Sequence, residues 1–207
     1  PVHIARHGVF VATTALTVAL GGDVRATIEI HTEIDNDSTM PVEVAVEHSI
    51  TTLGGAVIEL AGPSTTVAPL SRVTVSERVT IDRAQLWSLS SPRLHHLHSE
   101  LRVGGDAVDT HMNTFGIRTV EYGADGLLLN GEITPINGVC CHQDFAGVGI
   151  ALPDRAHEYR IRRLQEVGCN AYRTAHHPPT PELLDACDRL GMLVLDENRR
   201  LETNDEG

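Results

Sequence analysis

Aromatic residues are scarce in this chain of 207 residues, since phenylalanine, tyrosine and tryptophan together make up 3% of it. A hydrophobic core must therefore be built from aliphatic side chains, which supply most of the 41% of residues that are hydrophobic. We interpret the single tryptophan, Trp87, as a core anchor rather than a platform for stacking a sugar ring. The length is enough to bury a core and to form one domain or two.

Positive charge is also in short supply. The sequence has 16 arginines and no lysine against 28 aspartates and glutamates, which gives a net charge of −12 and an isoelectric point near 5.4. This balance argues against nucleic acid or an anionic membrane surface as a partner. It fits a soluble protein that handles a neutral ligand, although an acidic surface also favours solubility by itself.

Long hydrophobic runs are absent, so the sequence predicts no membrane-spanning segment. A signal peptide is not visible either, which favours a cytoplasmic protein. The chain starts at Pro1 without a methionine, so the native N-terminus is not visible and secretion stays open.

Cysteine is limited to four residues, and none of them forms a C-x-x-C pair. All four lie in the C-terminal third: Cys140, Cys141, Cys169 and Cys187. The spacing argues against a zinc site or a disulfide framework and favours reduced, buried thiols. On a strand, Cys140 and Cys141 would point to opposite sides.

Residues 1–117 are predicted to form an immunoglobulin-like β-sandwich. They contain short runs rich in valine, isoleucine and threonine, about seven in all, separated by glycine-, asparagine- and proline-containing turns. The clearest runs are Gly8–Thr14, Arg25–Ile34, Val42–Ile50, Ala56–Leu60, Arg72–Ile81 and Leu97–Val103. Several of them alternate apolar and polar residues, which places one face of the strand inside.

Residues 118–207 are predicted to form the N-terminal portion of an incomplete α/β barrel of the TIM type. A hairpin with Asn130-Gly131 at its turn comes first. From Ile136 the order is then strand, helix, strand, helix, strand, which predicts three of the eight strands of such a barrel.

Helix boundaries can be predicted from capping residues. Asp154 is expected to cap the first helix, which continues to about Val167 and ends at Gly168. Thr180 is expected to cap the second helix, and Gly191 to end it. On the first helix, the spacing predicts one apolar face made of Tyr159, Ile161, Leu164 and Val167. The run Met192–Leu195 is typical of a strand buried on both faces.

Polar residues follow each of the three predicted barrel strands. These candidate substrate-binding residues are His142, Asp144, Arg173, His176, Asp196, Glu197 and Asn198. Because the carboxyl ends of parallel strands meet at one rim, we expect the side chains to lie close together. Donors, acceptors and a fixed cation suit the recognition of a hydroxyl-rich sugar, while loop caps and structural ion pairs are the simpler explanation for each residue.

The stretch from Gly168 to Asn198 resembles the signature of glycoside hydrolase family 2, which includes β-galactosidases, β-glucuronidases and β-mannosidases. The residues that carry the resemblance are Asn170, Arg173, Thr174-Ala175-His176, Pro178, Leu183-Leu184, Asp188 and Gly191. His177 departs from the pattern, where the family usually has tyrosine. The resemblance is strong from Phe115 to Asn198 and weak before that.

The resemblance implies a retaining exo-β-glycosidase that acts on terminal β-linked sugars, and Asp196-Glu197-Asn198 and His142-Gln143-Asp144 favour the β-galactosidase branch. It implies that His142 and His176 line the sugar subsite and that Arg173 lies at its base. Arg173 is expected to hold Asp196 or Glu197 through bidentate pairs. The two catalytic glutamates of the family lie on later barrel strands, so we expect the isolated chain to be inactive, with no catalytic residue of its own. No cofactor is expected, and no metal, because Glu202-Thr203-Asn204 lacks the histidine of the family's magnesium pair.

Other interpretations stay open at this point. The chain could be a non-catalytic carbohydrate-binding or structural module, or an unrelated α/β enzyme, although a G-x-S-x-G nucleophile motif is absent. Three barrel strands leave an open edge, so we expect a homo-oligomer through that edge, packing of the edge against the sandwich, or a disordered C-terminal part.

Overall fold

The computed structural model describes nearly the whole chain, namely residues 1–19, 21–62 and 64–197. The chain divides into two compact units. The first consists of Pro1–Leu86 and Arg93–Val120, and the second of Trp87–Pro92 and the chain from Glu121 onward. Each unit has its own hydrophobic core.

The described part of the first unit is an all-β structure with two antiparallel sheets. Its strands are β1 (Val2–Val18), β2 (Val24–Asn36), β3 (Val42–Thr51), β4 (Val57–Ala61), β5 (Thr65–Val67), β6 (Ser71–Ile81), β7 (His95–Val103) and β8 (Asp106–Phe115). One sheet has the order β1-β2-β6 and the other the order β4-β3-β7-β8, while β5 pairs with β3. Their side chains meet in one core, so the predicted β-sandwich is confirmed.

Aliphatic side chains build this core, as the shortage of aromatic residues requires. Every second residue of β2 from Ala26 onward is buried, and β3 alternates in the same way from Val44 to Ile50. The fully buried members include Ile28, Ile30, Ile34, Val46, Leu97 and Leu101. Each such side chain stabilises the fold by about 1.5–3 kcal/mol relative to an exposed position.

Strands β5 and β8 are the elements of the sandwich that the sequence pattern did not predict, and β8 is the longer of the two. The inward positions of β8 hold Asp109, His111 and Asn113 before Phe115, and only Phe115 is fully buried. The strand therefore lacks the apolar alternation that identifies β2 and β3, although Gly104-Gly105 marks its turn with β7.

A polar cluster bridges the two sheets inside the sandwich. His48 on β3 is 2% exposed, and its Nδ1 lies 2.9 Å from the Ser99 hydroxyl on β7. Its Nε2 lies 3.4 Å from the Thr32 hydroxyl on β2 and 3.9 Å from a carboxylate oxygen of Glu77 on β6. Burial lowers the pKa of His48 to about 4 and raises the pKa of Glu77, so the low-dielectric interior disfavours both charged forms.

The second unit contains a small antiparallel sheet and a parallel β-α-β-α-β segment. Its elements are β9 (Val120–Gly123), β10 (Gly126–Leu129), β11 (Glu132–Ile133), β12 (Gly138–Cys141), α1 (Asp154–Glu166), β13 (Ala171–Thr174), α2 (Pro181–Leu190) and β14 (Leu193–Leu195). The predicted hairpin turn joins β10 to β11, where Asn130 and Gly131 have φ values of 55° and 81°. Both values lie in the left-handed region that this tight turn requires.

Strands β12, β13 and β14 pair side by side and in parallel. The predicted strand–helix order from Ile136 is therefore confirmed. The two helices pack with these strands around a core of six buried residues: Ile161, Tyr172, Leu183, Ala186, Cys187 and Met192. The predicted burial of β14 on both faces is wrong at Leu195, which is 43% exposed at the end of the strand.

Helix α1 departs from the sequence prediction at its cap and on its face. Pro153 occupies the N-cap position and Asp154 is the first helical residue. Tyr159 and Val167 are 53% and 77% exposed, so the predicted apolar face holds only for Ile161 and the half-buried Leu164. His157, one turn before Ile161, is the other buried residue of the helix, and a histidine gives no apolar signal.

Helix α2 follows its capping residues as predicted. The Thr180 hydroxyl accepts a hydrogen bond from the Leu183 amide at 3.3 Å, and Pro181 opens the helix. Gly191 ends it with φ 74° in the left-handed region. A Cβ at Gly191 would overlap the carbonyl oxygen of Leu89, so the site excludes a side chain for a second reason.

Trp87 is a buried anchor, as predicted, and it lies in the second unit. Its indole Nε1 donates to the carbonyl oxygen of Asp188 on α2 at 2.8 Å, and its own carbonyl accepts from Asn130 at 3.0 Å. The tryptophan therefore joins the hairpin turn to α2.

Across the described residues, the structure contains no helix whose length and hydropathy would allow it to cross a membrane.

Candidate functional site

The carboxyl ends of the three parallel strands bring polar side chains to one rim. Cys141 pairs with Thr174 and Arg173 pairs with Leu195, so the strands end at nearly the same level. His142 comes directly after β12, while His176 and Glu197 each come two residues after the end of their strands. This is the face on which barrels of parallel strands hold their chemistry.

Glu197 is the hub of the rim. Its Oε1 lies 2.7 Å from His176 Nδ1, and its Oε2 lies 2.6 Å from a guanidinium nitrogen of Arg173. The backbone amide of Glu197 donates to the Thr174 hydroxyl at 3.0 Å, which fixes the start of the segment after β14. Arg173 thus holds one of the two rim carboxylates, that of Glu197, but through one guanidinium nitrogen and not through the expected bidentate pair.

The electrostatics of the rim keep this carboxylate charged. The hydrogen bond from His176 is the largest effect and lowers the pKa of Glu197 below its usual range. Burial opposes it with the second-largest effect, and the nearby charge of Arg173 adds a smaller lowering. Arg173 also directs a second guanidinium nitrogen to the Cys140 sulfur at 3.3 Å. Arg173 is therefore held from both sides, between β12 and the segment after β14.

His142 completes the group. Its ring lies 5.8 Å from the ring of His176, measured between centroids, in an edge-on arrangement with an interplanar angle of 72°. We call His142, Arg173, His176 and Glu197 the rim cluster. The His176 side chain is 64% exposed, so a ligand can reach its imidazole.

The other predicted site residues are exposed at the surface or lie outside the described chain. The side chains of Asp144 and Asp196 are exposed. Asn198 lies outside the described residues. For Glu197 the structure shows the ion pair that was the simpler explanation, and the pair joins it to both predicted sugar-site residues of β13 and its loop.

Sequence reasoning missed the residues that support the rim. Cys140 accepts from Arg173 through its sulfur, and Arg160 on α1 binds backbone carbonyls in the loop after β12. A contact to a backbone carbonyl leaves no mark on the residue that provides it, so the pairing of Arg160 with this loop cannot be found from composition or spacing.

The rim borders a cavity of about 260 Å³ on the face of the parallel sheet, lined by Ile136, Gly138, Val139, Cys140, Ala171, Arg173 and Leu195. Within residues 1–19, 21–62 and 64–197, histidine, cysteine, aspartate and glutamate form no group of three or more that could hold a metal ion. The arrangement can donate hydrogen bonds from two imidazoles and present one anchored carboxylate beside a permanent cation.

Two family models match the chain. The model described as glycosyl hydrolases family 2 matches residues 8–118, and the model for the TIM barrel domain of the same family matches residues 120–204. The first of these alone covers more than half of the chain. Together they span both compact units.

Known proteins of this kind are similar over most of the chain. A protein named β-galactosidase BoGH2A from Bacteroides ovatus is 33% identical over 95% of the chain, which covers 23% of that protein. A β-glucuronidase from Bacteroides fragilis is 34% identical over 55% of the chain, which covers 17% of that protein. The crystal structure of a family 2 member from Bacteroides cellulosilyticus superimposes with a TM-score of 0.86 at 30% identity, over 95% of this chain and 27% of the other. The chain thus spans about a quarter of the length of such relatives.

Proposed function

The chain belongs to family 2 of the glycosyl hydrolases, and from that premise we propose that the protein containing it hydrolyses a terminal β-linked sugar, with a β-galactoside as the preferred substrate. The observation that carries the proposal is the rim cluster at the carboxyl ends of β12, β13 and β14. Named relatives include both β-galactosidases and β-glucuronidases, and the one named β-galactosidase BoGH2A matches 95% of the chain.

In this proposal the rim cluster binds the sugar. His142 and His176 donate hydrogen bonds to hydroxyl groups or to an oxygen on which negative charge develops. Arg173 does not need to touch the sugar, because its guanidinium holds Glu197 and Glu197 in turn holds the His176 ring. The carboxylate at Nδ1 fixes the orientation of the imidazole, so that Nε2 is the nitrogen available to a ligand.

Bond cleavage requires two further carboxyl groups about 5–5.5 Å apart if the reaction retains configuration. Glu197 is not proposed for either role, because its two oxygens are engaged by His176 and Arg173. Its lowered pKa argues in addition against the role of the acid. A general acid needs a raised pKa. The 207-residue chain by itself is therefore expected to bind weakly and to be inactive.

The proposal is tested with a panel of aryl β-glycosides, namely the galactoside, glucuronide, mannoside and glucoside. Each is offered to the complete protein that carries this chain and, in parallel, to the 207-residue chain. Hydrolysis by the complete protein with the galactoside preferred is the expected result. Preference for the glucuronide would replace the proposed substrate, and no hydrolysis by either protein would favour a non-catalytic binding module.

A further inference from the structure

Arg160, on the second turn of α1, makes an unusual set of contacts with the loop that follows β12. One guanidinium nitrogen, Nη1, donates to the carbonyl oxygen of His142 at 2.9 Å and to the Tyr172 hydroxyl at 3.0 Å. The other, Nη2, donates to the carbonyl oxygen of Asp144 at 2.6 Å. The guanidinium carbon also lies 5.1 Å from the centre of the Phe145 ring. Four groups on two segments thus surround one side chain.

The chemistry of arginine suits this position. Backbone carbonyls of an irregular loop need donors that a strand or helix would otherwise supply. A guanidinium is planar, always charged and able to donate in several fixed directions at once, so one side chain can bridge carbonyls two residues apart. A lysine would present a single point charge and would lose the planar contact with the Phe145 ring.

The side chain is itself anchored on both sides. Arg160 directly precedes Ile161, which is fully buried in the core of the second unit. Its partner Tyr172 is also fully buried, on the central strand β13. The guanidinium therefore connects the loop to the most rigid part of the unit.

We call residues 142–145 the clamped loop. This loop begins with His142, a member of the rim cluster. Arg160 binds the carbonyl of His142, and the His142 ring lies 5.8 Å from the ring of His176. Arg160, which lies on the helix side of the sheet and does not belong to the rim, therefore holds the backbone that carries the His142 ring.

We propose that Arg160 is a positioning residue, which holds the clamped loop so that the His142 imidazole meets the His176 imidazole at the rim. It acts through the carbonyl oxygens of His142 and Asp144 and touches no substrate. The effect of Arg160 on catalysis rests on the proposed function, whereas the restraint that Arg160 places on the loop does not.

The test compares three variants of the complete protein: R160M, R160K and R162M. Arg162 is an exposed residue on the same helix, so R162M controls for the loss of one charge and for the change in helix composition. Amide hydrogen exchange is measured for peptides from the clamped loop and, separately, from α1 and β13. The second readout is kcat and KM for the best aryl β-glycoside.

We expect exchange in the clamped loop to become at least about tenfold faster in R160M, with little change in α1, since a lost local restraint raises opening of that loop alone. R160K should recover only part of the protection, and R162M should match the parent. Misplacement of His142 should lower kcat about 10- to 100-fold with a smaller effect on KM. Should R160M not fold, R160K carries the comparison.

Unchanged exchange in the loop of R160M, or full recovery in R160K, would overturn the proposal. Faster exchange spread over α1 and β13 as well would show a general structural role instead, and would overturn it too. If the complete protein hydrolyses none of the glycosides, the proposed function fails, but the exchange comparison still decides the role of Arg160.

Discussion

At the scale of single residues, the rim is organised by one carboxylate. The sequence pattern predicted that His142, Arg173 and His176 would meet near a carboxylate, because each was expected to follow a parallel strand. His142 and His176 do so, whereas Arg173 lies within β13, one residue before its end. The pattern could not choose between Asp196 and Glu197, since neighbouring residues after a strand differ only in the direction of their side chains. The structure selects Glu197, which contacts both Arg173 and His176.

The first prediction concerns the ionisation of Glu197. Its carboxyl should titrate below the usual glutamate value of about 4.3 in an NMR pH titration that follows side-chain carboxyl carbons. His176→Ala should raise the pKa more than Arg173→Met does, because the hydrogen bond from His176 is the larger cause of the lowering. The charged carboxylate of Glu197 stabilises the folded chain fully at pH values above the usual glutamate pKa. This stabilisation is lost as the pH falls through the lowered pKa of the folded chain.

Arg189→Met serves as the control, because Arg189 pairs with Glu158 and not with Glu197. It should leave the titration of Glu197 unchanged. Equal titration curves for Glu197 in the parent chain and in H176A would show that the contact with His176 does not form in solution.

The second prediction concerns His48 inside the sandwich. Its pKa of about 4 lies below the usual 6.5, so between these two pH values the unfolded chain binds a proton that the folded chain does not bind. Stability should therefore be complete above pH 6.5 and fall as the pH drops toward 4, by about 3 kcal/mol in all from this one group. Glu77 should change the stability in the opposite direction. Burial raises its pKa, so the folded chain binds the proton more readily than the unfolded chain and gains stability as the pH falls.

The readout is the pH dependence of urea unfolding, followed by far-UV circular dichroism. His48→Gln should flatten the decline between pH 6.5 and pH 4, even though the loss of the Ser99 contact lowers stability at every pH. His96→Gln, at an exposed position on β7, should keep the slope of the parent. Parallel curves for H48Q and the parent would contradict the assignment of a neutral buried imidazole.

At the scale of elements, the residues that cap and end a helix predicted its bounds better than the hydrophobic pattern predicted its buried face. Thr180, Pro181 and Gly191 fixed the bounds of α2 because each has one physical reason to stand where it does. The apolar spacing on α1 misplaced Tyr159 and Val167, since a periodicity says which residues share a stripe and not how wide the buried stripe is. Strand β8 was missed for a related reason, because its inward positions are polar.

The third prediction concerns the two ends of α2. Thr180→Ala should lower the free energy of unfolding of the second unit by about 1 kcal/mol, and Thr180→Ser should restore it. Gly191→Ala should cost roughly 2 kcal/mol or more, because it combines a left-handed backbone with overlap on the Leu89 carbonyl. The fluorescence of Trp87, the single tryptophan, reports this unfolding since its indole donates to Asp188 on α2.

Gly168→Ala is the matched control for the glycine. Gly168 also has a left-handed backbone, with φ 89°, but a Cβ there would meet no atom of the described residues within 4 Å. The difference between G191A and G168A therefore measures the overlap with Leu89 alone. Equal losses in the two variants would mean that the close approach of Leu89 and Gly191 is absent.

At the scale of the whole molecule, the family and the order of its two structural types could be predicted from the sequence. The signature around Arg173 and His176 named the family, and family models now match both parts of the chain. The boundary at residue 117 stays a prediction, as do the cytoplasmic location and the preference for galactosides. The location and the preferred sugar depend on surfaces and partners that the residue pattern of one chain does not encode.

The fourth prediction concerns self-association. Among the described residues, β14 pairs with β13 alone, and Leu195 at its end is 43% exposed beside the cavity on the sheet face. We expect the 207-residue chain to form dimers in a concentration-dependent way through this edge. Sedimentation velocity should show the dimer, and Leu195→Glu should shift the chain toward monomer.

Val167→Glu is the control, because Val167 is more exposed but follows α1 instead of lying at the sheet edge. It should leave the association unchanged. Monomer at every concentration for the parent chain would contradict this prediction.

The central claim is that the rim cluster binds the sugar, and one measurement tests it most directly. The complete protein and its His176→Ala variant are compared in kcat/KM for the best aryl β-glycoside, with His96→Ala as a control far along the chain on β7. We expect H176A to lose at least about 100-fold in kcat/KM while it keeps the circular dichroism of the parent, and H96A to lose nothing. A folded H176A variant with the activity of the parent would contradict the account.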